Sequence, residues 1–266
     1  MKKNQILLLF TLLIMMSWSF NNEVKAVTPH QKVENEDPAK ADIEKLNQII
    51  ANKSNPAIWI FTGNSITQGA KHTHGLRSYP EIFGERIRWE MGRSRDFIIN
   101  TAISGNTTMD ILSDFERRIG RFNPTVVILM IGTNDAAVSK NISLDNFASN
   151  LSQLITKIRN IGAIPIFLSP NPITDKETDR SRLPAYVTKS KETAIDNHVL
   201  FVDNWTIWNT ELQIKYDGKI FSQLLNDPIH PNGLGHKEIA YALFKALSIF
   251  DSNQPTCGGT YYEGEH

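Results

Sequence analysis

Five short apolar runs, at residues 57–61, 97–102, 125–131, 163–169 and 199–202, limit how this chain can fold. They are rich in β-branched and aromatic residues and bounded by Gly, Pro or polar turns, which is how buried strands read. A helical pattern follows each one. Pro80 opens the first, over residues 80–91, where proline suits a first turn; Gly92 ends it. The next spans 108–119. Over 143–160 the residues Leu144, Phe147, Leu151, Leu154, Ile155 and Ile158 form one stripe. Residues 184–197 and 233–249 complete the set, and one more helix is expected at 41–51, before the first strand. Strand then helix, repeated in this way, predicts an α/β fold with a five-stranded parallel sheet and helices on both faces. Near-continuous apolar strands fit burial on both sides. No internal repeat or second domain is evident.

The ends of the chain read differently. Lys2 and Lys3 precede an almost wholly apolar stretch at 6–20, broken by Thr11, Ser17 and Ser19; Val24-Lys25-Ala26 then offers a small-residue cleavage site. This predicts a signal peptide over 1–26 and hence a secreted, extracellular protein. The competing reading is an uncleaved anchor, but the stretch falls short of the roughly 20 residues a span needs. Residues 27–40 are polar and acidic and are expected to be a mobile leader. The domain proper is expected at 41–250, followed by a flexible tail at 251–266. The single cysteine, Cys257, lies in that tail and excludes an internal disulfide. It reads as an incidental thiol, with an intermolecular disulfide as the alternative. Lys+Arg and Asp+Glu balance at 28 each, which gives no electrostatic case for nucleic acid or an anionic membrane as partner. No stable membrane anchor is expected after cleavage.

Polar groups gather where strands end. The first run stops at Gly63-Asn64-Ser65, the second at Ser104-Gly105-Asn106 and the third at Gly132-Thr133-Asn134-Asp135. A late turn reads Asp227-Pro228-Ile229-His230. All carboxyl ends of a parallel sheet point the same way, so residues far apart in sequence can meet at one edge. Each group alone has an ordinary reading. Ser65 and Asp227 suit turns, Asn134 fits a common turn pattern, and His230 could cap the last helix. Joint placement at successive strand ends is harder to explain that way.

Those four blocks, in that order and spacing, resemble the signature blocks of the SGNH/GDSL hydrolases. The resemblance runs from about residue 57 to the end of the last helix. It implies a serine esterase on a three-layer α/β/α, flavodoxin-like sandwich. It assigns Ser65 as nucleophile, His230 as base and Asp227 as its orienting acid, with Gly105 and Asn134 as oxyanion donors. The family often has aspartate before the nucleophile; here that residue is Asn64, which bears only on local hydrogen bonding. Physical chemistry asks for the same parts. A serine hydroxyl needs an adjacent base. Imidazole titrates near neutral pH, and its second nitrogen needs an acceptor to fix the tautomer. A developing oxyanion needs donors, which the N–H of Gly105, the amide of Asn134 and the N–H of Ser65 can supply.

Other readings fit less well. An α/β-hydrolase elbow would place glycine where Thr67 stands. A phosphate-binding loop would need a different spacing from Gly63 to Lys71. A metal site from His72, His74, His230 and Asp227 lacks helical ligand spacing. A non-catalytic carbohydrate-binding module on an esterase scaffold is the non-enzyme alternative. No metal or organic cofactor is implied. His72, His74 and Arg77 follow the nucleophile and could line the pocket mouth, or could equally be solvated loop residues. Trp205 and Trp208 precede the catalytic loop and could stack on sugar rings, though packing in the core or fixing the loop is the plainer role. The expected substrate is a short acyl ester, acetyl above all, on an extracellular carbohydrate. A lipase or lysophospholipase is the alternative, and no long lipophilic lid stands out.

Overall fold

The computed structural model describes residues 38–69 and 71–261. The expected signal peptide, residues 27–37 of the leader and residues 262–266 lie outside the described residues. A first helix, α1 (Pro38–Ala51), begins three residues before its apolar spacing does. The strands are β1 (Ile58–Gly63), β2 (Phe97–Asn100), β3 (Val126–Met130), β4 (Ile164–Leu168) and β5 (Leu200–Val202). All pair in parallel, in the order β2-β1-β3-β4-β5. This is the doubly wound, flavodoxin-like order, and its direction reverses between β1 and β3.

Between β1 and β2 come α2 (Ser65–Gln68), α3 (Tyr79–Glu85) and a π-helical turn, Arg86–Glu90. The single helix expected over 108–119 is two, α4 (Thr108–Ser113) and α5 (Phe115–Arg118). They part at Asp114, whose carboxylate is taken by Arg117 and Arg118 instead of the helix. Then come α6 (Leu144–Asn160) and α7 (Leu183–Asp196). Three short helices, α8 (Asn204–Asn209), α9 (Glu211–Lys215) and α10 (Ile220–Leu224), fill the segment before the turn at Asp227 to His230, and α11 (Gly233–Ala246) follows it. None of these helices is long and apolar enough to cross a membrane, among the described residues.

Strand alternation splits the core in two. Val126, Ile128 and Met130 of β3 face α1, α3, α8–α10 and α11, while Val127 and Leu129 face α4–α7. Both faces of the central strands are therefore buried, which is why β3 reads as an unbroken apolar run. Pro165 inside β4 fits for a specific reason. Ile164 N–H donates to Thr125 O, so position 165 faces β5, and β5 begins only at Leu200, opposite Ile166. The missing donor of proline falls where no partner strand exists.

The expected loose tail is pinned in its first part. Thr256 and Cys257 are buried, and Thr256 N–H donates to Glu90 Oε1 at 2.9 Å. Glu90 also pairs with Arg86, whose guanidinium donates to Ile249 O at 2.7 and 2.9 Å. A buried carboxylate needs donors, and the tail supplies two of them. Cys257 is a buried free thiol in that packing, not an exposed one.

Candidate active site

β1 delivers Ser65 to the carboxyl edge of the sheet. Gly63 lies at φ +153°, and a Cβ there would sit 2.2 Å from Met130 O, so only glycine lets β1 and β3 run together at this level. Asn64 then caps α2, its Oδ1 accepting from Ile66 N–H at 3.0 Å. Only an oxygen acceptor is needed for that bond, so asparagine serves where aspartate is common. Ser65 emerges on the first turn, almost buried.

One turn before α11 brings His230 and Asp227 to Ser65. Ser65 Oγ lies 2.8 Å from His230 Nε2. His230 Nδ1 lies 2.8 Å from Asp227 Oδ2 and 2.9 Å from Oδ1. Asp227 Oδ1 also accepts the backbone N–H groups of Ile229 and His230, both at 2.8 Å. Burial alone would push the Asp227 carboxyl up. The hydrogen bonds from His230 and Ile229 outweigh it and hold the group below the usual carboxylate range. An ionised acceptor at Nδ1 puts the ring hydrogen there and leaves the Nε2 lone pair facing Ser65. The turn is tied down from two sides: Asn171 Nδ2 donates to Ile229 O at 3.0 Å, and Thr174 N–H to Pro228 O at 2.9 Å.

The two other strand ends close in beside Ser65. Ile103 N–H donates to Gly63 O at 3.2 Å, so the chain after β2 still runs alongside β1. Ser104 N–H then donates to Gln68 Oε1 of α2 at 2.9 Å. Gly105 follows at φ +80° with open space where a Cβ would be. Its glycine is thus required by the backbone conformation and not by crowding. Asn134 is held at both ends of its amide: Nδ2 donates to Asn106 O at 2.9 Å, and Arg180 Nη2 donates to Oδ1 at 3.1 Å. That leaves the second hydrogen of the Nδ2 group as a fixed, available donor. Next to it, the buried Asp135 accepts both the N–H and the hydroxyl of Thr108, at 2.9 and 2.6 Å. Burial pushes this carboxyl up to about 6 despite those bonds. Asp135 staples the end of β3 to the start of α4.

His72 is half-buried, and its ring lies face to face on His230, with centroids 3.7 Å apart and planes 4° apart. His72 Nδ1 is 3.2 Å from Asp227 Oδ2. His74 is exposed and bonds Asn226, the neighbour of Asp227. Arg77 is engaged by Glu85 and Tyr261. Trp208 is a correction: it is fully buried in the core between the sheet and α11, so it can stack on no sugar. Trp205 is only partly buried and lines a cavity of about 370 Å³ together with Thr174, Arg180 and Phe221. Arg180 and Asn171, which position Asn134 and the His230 turn, carry no signal in the sequence, since each acts across a long loop. His72, Asp227 and His230 also offer three ligand atoms within 4.8 Å of one another. The two imidazoles lie in parallel planes with centroids 3.7 Å apart, and each lone pair stays in its own ring plane, so no single ion can lie in both planes at once.

The model of the GDSL-like lipase/acylhydrolase family matches residues 61–238, which contain all four blocks. The acetylxylan esterase of Geobacillus stearothermophilus is 26% identical over 208 residues, covering 71% of this chain and 93% of that protein. The isoamyl acetate-hydrolyzing esterase of Saccharomyces cerevisiae is 22% identical over 215 residues, 72% of this chain and 86% of that one. Among solved structures, an α/β hydrolase enzyme from the metagenome of Lake Arreo, Spain, superposes with a TM-score of 0.63 at 23% identity, covering 74% of this chain and 97% of that chain. The Geobacillus stearothermophilus acetylxylan esterase gives 0.58 at 21% identity, with 72% and 94% covered. At those identities the superpositions speak for the fold.

Proposed function

The chain belongs to the GDSL-like lipase/acylhydrolase family and is a carboxylic ester hydrolase, and from that premise we propose that Ser65, His230 and Asp227 carry the reaction on short acyl esters of an extracellular carbohydrate. One observation carries the chemistry: the unbroken hydrogen-bonded chain from Ser65 Oγ through His230 to Asp227, with links of 2.8 Å.

In this reading His230 Nε2 takes the Ser65 proton as Oγ attacks the ester carbonyl carbon. The carbonyl oxygen becomes an oxyanion and accepts hydrogen bonds from the N–H groups of Ser65 and Gly105 and from Asn134 Nδ2. The tetrahedral species collapses, the C–O bond to the alcohol breaks, and His230 returns the proton to the leaving oxygen. Water then attacks the acyl-serine, with His230 again as base and Asp227 keeping the ring in its productive tautomer.

The acetyl preference rests on two supports. The relatives' names, acetylxylan esterase and isoamyl acetate-hydrolyzing esterase, both specify acetyl esters. Trp205, with Arg180 and Thr174, lines a cavity linked to Asn134 through the Arg180 bond, and an aromatic face rimmed with polar groups suits a sugar ring. Secretion rests on the basic start at Lys2 and Lys3, the apolar stretch and the site at Ala26. A fluorophosphonate should label Ser65, and label should be lost in His230→Ala. With p-nitrophenyl esters from C2 to C16, kcat/KM should be highest at C2; a maximum at C8 or longer would point to a lipase instead. The protein recovered from culture medium should begin near Val27.

A further inference from the structure

The stacked histidine has no part in the scheme above, and its geometry is too specific for a bystander. We infer that His72 is a positioning residue of the reaction, holding the Asp227–His230 pair in register from the face of the His230 ring. The inference rests on the proposed triad.

Two contacts carry it. The first is made beside Asp227. His72 Nδ1 accepts a hydrogen bond from Asn226 Nδ2 at 3.2 Å, and the same atom lies 3.2 Å from Asp227 Oδ2. The ring is thereby fixed to the residue before Asp227, whose Oδ1 is filled by two backbone N–H groups and whose Oδ2 accepts from His230 Nδ1. The second contact is the parallel stack, 3.7 Å between centroids. It fixes the tilt of the His230 ring and presents a π face to the imidazolium that forms when His230 takes the Ser65 proton.

Both roles require a neutral His72. Burial lowers its pKa first and the charge of His230 lowers it further; Lys71 and His74 on its own loop act the same way, while Asp227 opposes them. His236 on α11 faces the same cluster, and its own burial pushes it down to about 3, so it adds no competing charge near neutral pH.

The test uses the full protein with p-nitrophenyl acetate. His72→Ala should lower kcat by roughly 10- to 100-fold, the scale of a small misplacement of reacting groups, with KM within about twofold. His72→Phe, which keeps a ring on His230 but loses the bond from Asn226, should recover part of that loss. In His72→Ala the acid limb of kcat/KM should move to lower pH, because the His230 imidazolium loses the π face that favours it; His72→Phe, which keeps one, should stay nearer wild type. Unfolding midpoints check that both variants fold, as a mostly surface loop should allow. A fall in kcat with an unmoved acid limb in His72→Ala would reduce His72 to packing. A rise in KM alone would make it a substrate contact, and either result overturns the inference. If Ser65→Ala stays active, the triad itself fails; if it is inactive while the His72 variants behave as wild type, only the positioning role fails.

Discussion

The two ends of one sheet are built on opposite terms. At the amino edge, Arg93 is fully buried and every arm of its guanidinium is used. It donates to both oxygens of Asp96 at 2.7 and 3.0 Å, and to the carbonyls of Asn52 and Asn55 at 2.8 and 3.0 Å. Asp96 in turn accepts from Ala57 N–H at 3.0 Å and Trp59 Nε1 at 2.8 Å. The pair knots the end of α1 to the starts of β1 and β2. At the carboxyl edge, Thr62 Oγ1, Asn64 Nδ2, Thr133 Oγ1, Asp135 Oδ2 and Asn171 Oδ1 are buried with no hydrogen-bond partner among the described residues. A buried polar atom without a partner costs stability. One edge is a closed network that stabilises the fold; the other gives up part of that satisfaction around the hydrogen-bonded Ser65–His230–Asp227 chain.

Substitutions can separate these two roles. Ser65→Ala should have the largest effect, lowering kcat by on the order of 10⁶, as loss of a catalytic serine does elsewhere. Its thermal midpoint should match wild type; a large drop would mean that the carboxyl edge is as structural as the amino one. Arg93→Ala should show the reverse pattern. It strands Asp96 as a buried charge, so urea unfolding should register a loss of roughly 3–5 kcal/mol, with kcat per folded molecule unchanged. Asn134→Ala comes next, with kcat down about 10²–10³-fold, or roughly 2.7–4 kcal/mol, and KM little altered. If KM alone rose, Asn134 would be a ground-state contact. Arg180→Ala removes the bond that orients Asn134 together with the ion pair to Glu177, and about a tenfold loss in kcat, or ~1.4 kcal/mol, is expected from steady-state kinetics.

Much of the site was legible in the sequence because it sits where local patterns end. Gly63, Gly105 and Gly132 punctuate apolar runs, and a polar residue just past each run lands on the carboxyl edge of any parallel sheet. Asp227 and His230 are three residues apart on one turn, so their pairing is a local matter as well. The errors came where local pattern is thin. Trp208 lies in α8, a six-residue helix too short to show a periodicity that separates core from surface. The tail after Asp251 is polar and glycine-rich, yet Glu90, 166 residues before Thr256, holds it.

The chain's alternation of two periods determines its class: strands repeat every two residues and helices every 3.6, and both are encoded between near neighbours. Which strand lies beside which is not encoded that way. The order β2-β1-β3-β4-β5, with its reversal beside β1, sets Ser65 next to Asn134 and opposite the His230 turn. The face of His72 on His230 and the grip of Arg180 on Asn134 likewise bridge residues 158 and 46 positions apart. Such contacts depend on how whole elements pack, since an imidazole or a guanidinium carries the same sequence signal in solvent as it does against a catalytic side chain.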